Sequence, residues 1–148
     1  MTSVAQPFQP AQRAETRARR MLGPALGLGG LAAATLALHF RDPHAHASWG
    51  LCPLYATTGI YCPGCGGLRA VNDLSNGDIL GAASSNLLFF VSIPLIVFLL
   101  GRWVHDSWYG VERGRTWLSS WAFMYGALGV AAVFTVLRNT PAGSWLAP

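Results

Sequence analysis

All three cysteines of the chain fall within C-P-L-Y-A-T-T-G-I-Y-C-P-G-C-G-G-L-R-A-V-N-D, the stretch from Cys52 to Asp73. Cys62-Pro63-Gly64-Cys65 is a C-x-x-C unit, and Cys52 stands ten residues before it. Three chemistries suit thiols in this pattern. The first is a disulfide. Joining Cys52 to Cys62 or Cys65 would close a loop of about a dozen residues and add roughly 3 kcal/mol through chain entropy, leaving one cysteine over. The second is a metal, because C-P-x-C-G is the turn with which zinc ribbons aim two thiolates at one ion. Zinc is then the candidate cofactor, and a fourth ligand would have to be borrowed from His44, His46 or Asp73. The third is thiol–disulfide exchange by Cys62 and Cys65, since Cys65 lies just before a helix start, where the dipole lowers a thiol's pKa. No thioredoxin-type βαβ pattern surrounds the pair. The three readings stay open at this point.

What positions these residues is a membrane. Only 11% of the 148 residues are charged and 52% are hydrophobic, against about a quarter charged in ordinary soluble domains. Three apolar runs approach the ~20 residues needed to cross a bilayer: Met21 to Phe40, Leu87 to Leu100 with a weaker lead-in from Ile79, and Leu118 to Leu137. The fold class expected is an all-α membrane protein, with three transmembrane helices and a short interfacial helix after the cysteine-rich loop. Leu68, Val71 and Leu74 recur at one-turn spacing, which places that short helix between Gly67 and Gly77, apolar side towards the membrane or tucked between helices. Residues 1–20 read as a disordered tail, 21–138 as the membrane domain with its cysteine loop at about 41–78, and 139–148 as a short tail.

Every basic residue counted in the net charge of +4 is Arg. Arg13, Arg17, Arg19 and Arg20 precede the first run, and Arg102, Arg113 and Arg115 follow the second. Such clustering marks cytoplasmic flanks, so the N-terminus is expected inside and the cysteine loop outside, in a multi-pass protein of the cell's inner (plasma) membrane. No basic stripe interleaved with aromatics is present, and nucleic acid is not expected as a partner. The lipid bilayer is, together with a protein partner or a second copy. Arg13 to Arg20, the apolar run and Ala45-His46-Ala47 also fit a cleaved signal peptide, but the run is long for one and a retained helix is expected.

Local features add expectations. Gly23 and Gly27, like Ala127 and Ala131, are spaced for close helix approach. Pro94 should kink the second span. Asp78 should cap the second long helix, and Arg69 and Asp73, four apart, could pair. Trp103, Trp108, Tyr109, Trp117 and Trp121 form one interfacial belt, and Trp49, Tyr55 and Tyr61 the other. There is no phosphate-binding glycine loop, no H-E-x-x-H and no Ser/His/Asp set at a usable spacing.

Cys52-Pro53, Gly59, Cys62-Pro63-Gly64-Cys65-Gly66, Leu68-Arg69-Ala70, Leu74, Gly77 and Asn86 together resemble a family of small bacterial integral membrane proteins of unknown function. Its mark is C-P, a spacer, then C-P-x-C-G-x-x-R-A, over about residues 50 to 103. The resemblance implies a membrane protein and singles out Cys52, Cys62, Cys65 and Arg69, with Asn86 before the apolar helix; Arg69 and Asn86 are taken as motif or docking residues. It implies no activity. The function expected is a non-enzymatic membrane component whose loop, stapled by disulfide or metal, contacts a partner. A membrane thiol–disulfide oxidoreductase using Cys62 and Cys65 is the alternative.

Overall fold

The computed structural model describes residues 16–45, 52–112 and 120–147. Three long helices follow from the apolar runs: α1 (Arg17–Phe40), α5 (Leu87–Tyr109) and α6 (Trp121–Arg138). Between α1 and α5 stand three short ones, α2 (Pro53–Thr58), α3 (Gly67–Ser75) and α4 (Ile79–Ser85), and a 3-10 turn, Pro141–Leu146, follows α6. No strand occurs among the described residues. His46, Trp49, Arg13, Arg113, Arg115, Trp117 and the Ala45–Ala47 cleavage candidate beyond Ala45 lie outside them.

Each long helix is apolar enough and long enough to cross a membrane. At 24, 23 and 18 residues they rise about 36, 34 and 27 Å, around a ~30 Å hydrocarbon layer. α5 has a mean hydropathy of 2.3 over its most apolar window, and none of that window is buried. A helix apolar all round with its side chains turned outwards needs lipid as its solvent. The protein is an all-α membrane protein with three spanning helices and shorter helices between them.

α1 packs along α5. A Cβ on Gly27 would sit 2.9 Å from two ring carbons of Trp103, and one on Gly23 3.5 Å from a third. The glycine pair expected to let helices approach is therefore the seat of an indole from α5. At the same end Arg20 Nε donates to the Ser107 carbonyl at 3.3 Å, and the Arg17 guanidinium lies 4.7 Å above the Trp108 ring.

The opposite end is built on hydrogen bonds. Asn72 Nδ2 donates to the Leu38 carbonyl at 2.7 Å, tying α3 to the last turn of α1. Asp73 is nearly enclosed, bonded to His44 Nε2 at 2.7 Å through one oxygen and to the Ser85 hydroxyl at 2.7 Å through the other. These bonds correct the expected Arg69–Asp73 pair: the carboxylate is already taken from α4 and from the chain after α1. Arg69 makes no hydrogen bond or ion pair with a described residue. The buried positions of α3 are Ala70, Asn72 and Asp73, while Leu68 stays half exposed, so the face turned to the protein is largely polar.

The lead-in to the second span is a separate helix. Asp78 caps α4, accepting from Gly81 N–H at 2.7 Å. Asn86, extended at φ −159°, breaks the chain and caps α5 by accepting from Phe89 N–H at 2.9 Å. α5 then runs unbroken through Pro94 to Tyr109, beyond the Leu100 end expected. In α6 only Phe134 and Arg138 are buried, and the 3-10 turn packs between the end of α6 and α4.

Candidate metal centre

α2 folds the cysteine loop back on itself. Pro53 opens it at a position where no backbone donor is needed, and Gly59 closes it in the left-handed region at φ 70°. The chain reverses, and Cys52 Sγ comes to lie 3.8 Å from Cys62 Sγ. The C-P-G-C turn does the rest: Cys65 N–H bonds the Cys62 carbonyl at 3.1 Å and Gly67 N–H the Gly64 carbonyl at 3.0 Å. Gly66, at φ 82°, takes a left-handed conformation that a side chain would disfavour, and α3 starts from it. Cys62 Sγ and Cys65 Sγ are 3.3 Å apart. All three sulfurs lie within 4.8 Å of one another, each half buried. Among the described residues this is the group of side chains suited to hold a metal ion.

Two further side chains hold the turn from behind. Asn86, 1% exposed, donates through Nδ2 to the carbonyls of Pro63 at 2.9 Å and Cys65 at 3.0 Å. One amide thus fixes the turn and caps α5. Arg138, 2% exposed at the end of α6, donates through one terminal nitrogen to the carbonyls of Cys62 at 2.9 Å and Cys65 at 3.2 Å. Its guanidinium lies 4.9 Å from the centre of the Phe134 ring and 5.7 Å from that of Tyr61. Asn139 completes the clamp. It accepts from Tyr61 N–H and donates to the Tyr61 carbonyl, both at 2.9 Å, as a neighbouring strand would. Tyr55 and Tyr61 stack 4.5 Å apart beside it.

The thiols are not equivalent. The Tyr55 backbone N–H, then the Cys65 thiol, pulls the Cys52 pKa below its ordinary value. Burial, then the hydrogen bond with Cys62, pushes Cys65 up to about 12. Cys52 therefore gives up its proton more readily than Cys65, and a metal at this site would have to displace the firmly held proton of Cys65. Tyr61 is also pushed up, first by its bond with the Tyr55 hydroxyl, and its phenol stays neutral.

Sequence and structure agree on the thiols and part on what surrounds them. Cys52, Cys62 and Cys65 converge. His44 and Asp73 bond each other and are not members of the group that the three sulfurs form. His46 lies outside the described residues. Asn86 is enclosed and works inwards on the turn. Arg69 remains half exposed beside the loop. Arg138 and Asn139 were not legible as site residues: an Arg ending an apolar run ordinarily reads as a side chain reaching for the interface.

No curated protein and no solved structure matches the chain. Residues 52–100, from the first cysteine of the cluster into the middle of α5, match the model of a family described as protein of unknown function, DUF2752.

Proposed function

We propose that this is a non-enzymatic, multi-pass protein of the cell's inner membrane, in which one divalent metal ion on Cys52, Cys62 and Cys65 staples a loop outside the cytoplasm. The stapled loop contacts a protein partner. The convergence of all three sulfurs within 4.8 Å carries this reading. At a Zn–S distance of about 2.3 Å, the edge of a tetrahedron is roughly 3.8 Å, and the Cys52–Cys62 separation is 3.8 Å. A disulfide would serve only two sulfurs, and the 3.3 Å pair would have to close to about 2.05 Å. A metal uses all three. Three protein ligands leave one tetrahedral position for water or for a group from the partner. Arg69, four residues after Cys65 and half exposed without a described hydrogen bond or ion pair, is the docking residue of the loop. The outward placement rests on the arginine-rich flanks around the other end of α1 and α5.

One observation favours a second reading. Cys62 Sγ and Cys65 Sγ stand 3.3 Å apart, the close approach that thiol–disulfide exchange by that pair would require.

Metal analysis and mass-tagging of thiols on the detergent-extracted chain distinguish the two. The staple reading expects about one zinc per chain and three thiols that resist maleimide until a chelator is added. Cys62→Ser should abolish the metal. A metal-free protein lighter by two hydrogens, whose bond equilibrates with a glutathione buffer, overturns it in favour of exchange.

A further inference from the structure

Arg138 carries a charge that the fold has taken out of water without an evident opposite. It is 2% exposed. Its Nε and second terminal nitrogen are fully enclosed and have no hydrogen-bond partner among the described residues. The third nitrogen meets only neutral carbonyls, those of Cys62 and Cys65. No described carboxylate forms an ion pair with it. A buried, uncompensated guanidinium is among the costliest arrangements a fold can hold, and fixed neutral dipoles offset only part of that cost. The two carbonyls it holds belong to Cys62 and Cys65, two of the three residues whose sulfurs cluster within 4.8 Å of one another.

We propose that Arg138 is the counter-charge of a mono-anionic metal–thiolate centre, and that it sets the site's preference for a divalent thiophilic cation bound by all three cysteines. The inference rests on the metal reading above. On loading, three thiols release three protons to solvent and three S–metal bonds form with no change of oxidation state. A divalent cation with three thiolates carries one net negative charge, and the guanidinium cancels it. The same residue fixes the backbone of the turn, so charge and geometry are supplied by one side chain from α6. In the metal-free, protonated protein the guanidinium has no such partner among the described residues, which ties the docking of the α6 end to the loading of the site.

The test uses the full-length chain in detergent micelles, stripped with a chelator and titrated with Zn²⁺ against a chromophoric competitor. Thermal unfolding is followed with and without the ion. Wild type should gain stability on loading. Arg138→Gln removes the charge but keeps an amide donor, and should weaken Zn²⁺ binding roughly 10- to 100-fold, the loss typical when a ligand's supporting partner is removed. Its zinc-dependent gain in Tm should shrink accordingly. Arg138→Lys restores the charge without the planar fork and should recover most of the affinity. A role in shape alone would instead leave Lys as weak as Gln, and that outcome overturns the counter-charge. So does an Arg138→Gln protein that binds like wild type. Should Arg138→Gln not fold, the Lys variant still decides: a folded Lys protein without the zinc response is incompatible with a role in charge. A wild type that shows no zinc response at all overturns the metal reading, and the counter-charge with it.

Discussion

The two ends of the α1–α5 pair treat arginine in opposite ways. At one end Arg17 lies over the Trp108 ring and Arg20 reaches the Ser107 carbonyl, both on a rim of exposed aromatics. At the other end Arg138 is sealed among Tyr61, Phe134 and the carbonyls of the cysteine turn. A rim arginine keeps its hydration and contributes adhesion, which is what an interface asks of it. A sealed arginine commits the surrounding residues to charge compensation. The contrast puts the buried charge at the cysteine end and the ring-stacked, solvent-facing charge at the other, on physical grounds that do not depend on motif.

The change expected to break this division most strongly is Asn86→Ala. It leaves the Pro63 and Cys65 carbonyls without their amide donor and removes the cap of α5. Loss of a cap costs about 1 kcal/mol; the Cys65 carbonyl keeps its bond from Arg138, so the Pro63 carbonyl is the group left unpaired, at roughly 1–3 kcal/mol. Together they should lower stability by about 3 kcal/mol and reduce metal retention, read as Tm and zinc content. Asn86→Asp separates the parts, since the acceptor for Phe89 N–H survives while both carbonyl bonds are lost. If Asn86→Ala retains metal as wild type does, the amide is only a helix cap and the two ends are less different than they look.

Gly27→Val probes the anchoring end with a smaller effect. The added Cβ would press on the Trp103 ring at 2.9 Å, and overpacking of this kind costs about 1–3 kcal/mol. Trp103 fluorescence should change while zinc affinity does not. A loss of metal on Gly27→Val would mean that packing along α1 and α5 reaches the cysteine turn, and the division would fail.

This partition also explains which features the sequence disclosed. Spans were legible because apolar length is a local property, and α3 because Gly67, Leu68, Val71 and Leu74 lie within one short run. The cysteine turn was legible for the same reason, its spacing being carried by adjacent residues. What escaped was long-range. Asn86 splits the lead-in from α5 because its amide serves carbonyls 21 and 23 residues earlier. Arg138 reaches back 73 and 76 residues, and no periodicity or motif records that contact. Asp73 looked like a partner for Arg69 at helical spacing, yet His44 and Ser85 claim it from two other segments. Local pattern fixed the elements, whereas the buried polar groups were assigned by tertiary contact.

Arg17→Gln should have the smallest effect and sharpens the contrast most directly, because it removes the same charge as Arg138→Gln from the other end. The guanidinium lies 4.7 Å above the Trp108 ring and the residue is exposed, a geometry in which a cation–π contact contributes about 0.5–1 kcal/mol. Water takes over the solvation of whatever is left, so no buried group is orphaned. Tm should fall slightly and zinc affinity should stay within error of wild type. The informative quantity is the difference between the two substitutions in the same zinc titration. If both arginines alter the metal equally, the protein's overall positive charge governs binding, and the sealed position of Arg138 has no special role. If only Arg138 does, burial is what converts an ordinary flanking charge into part of the centre.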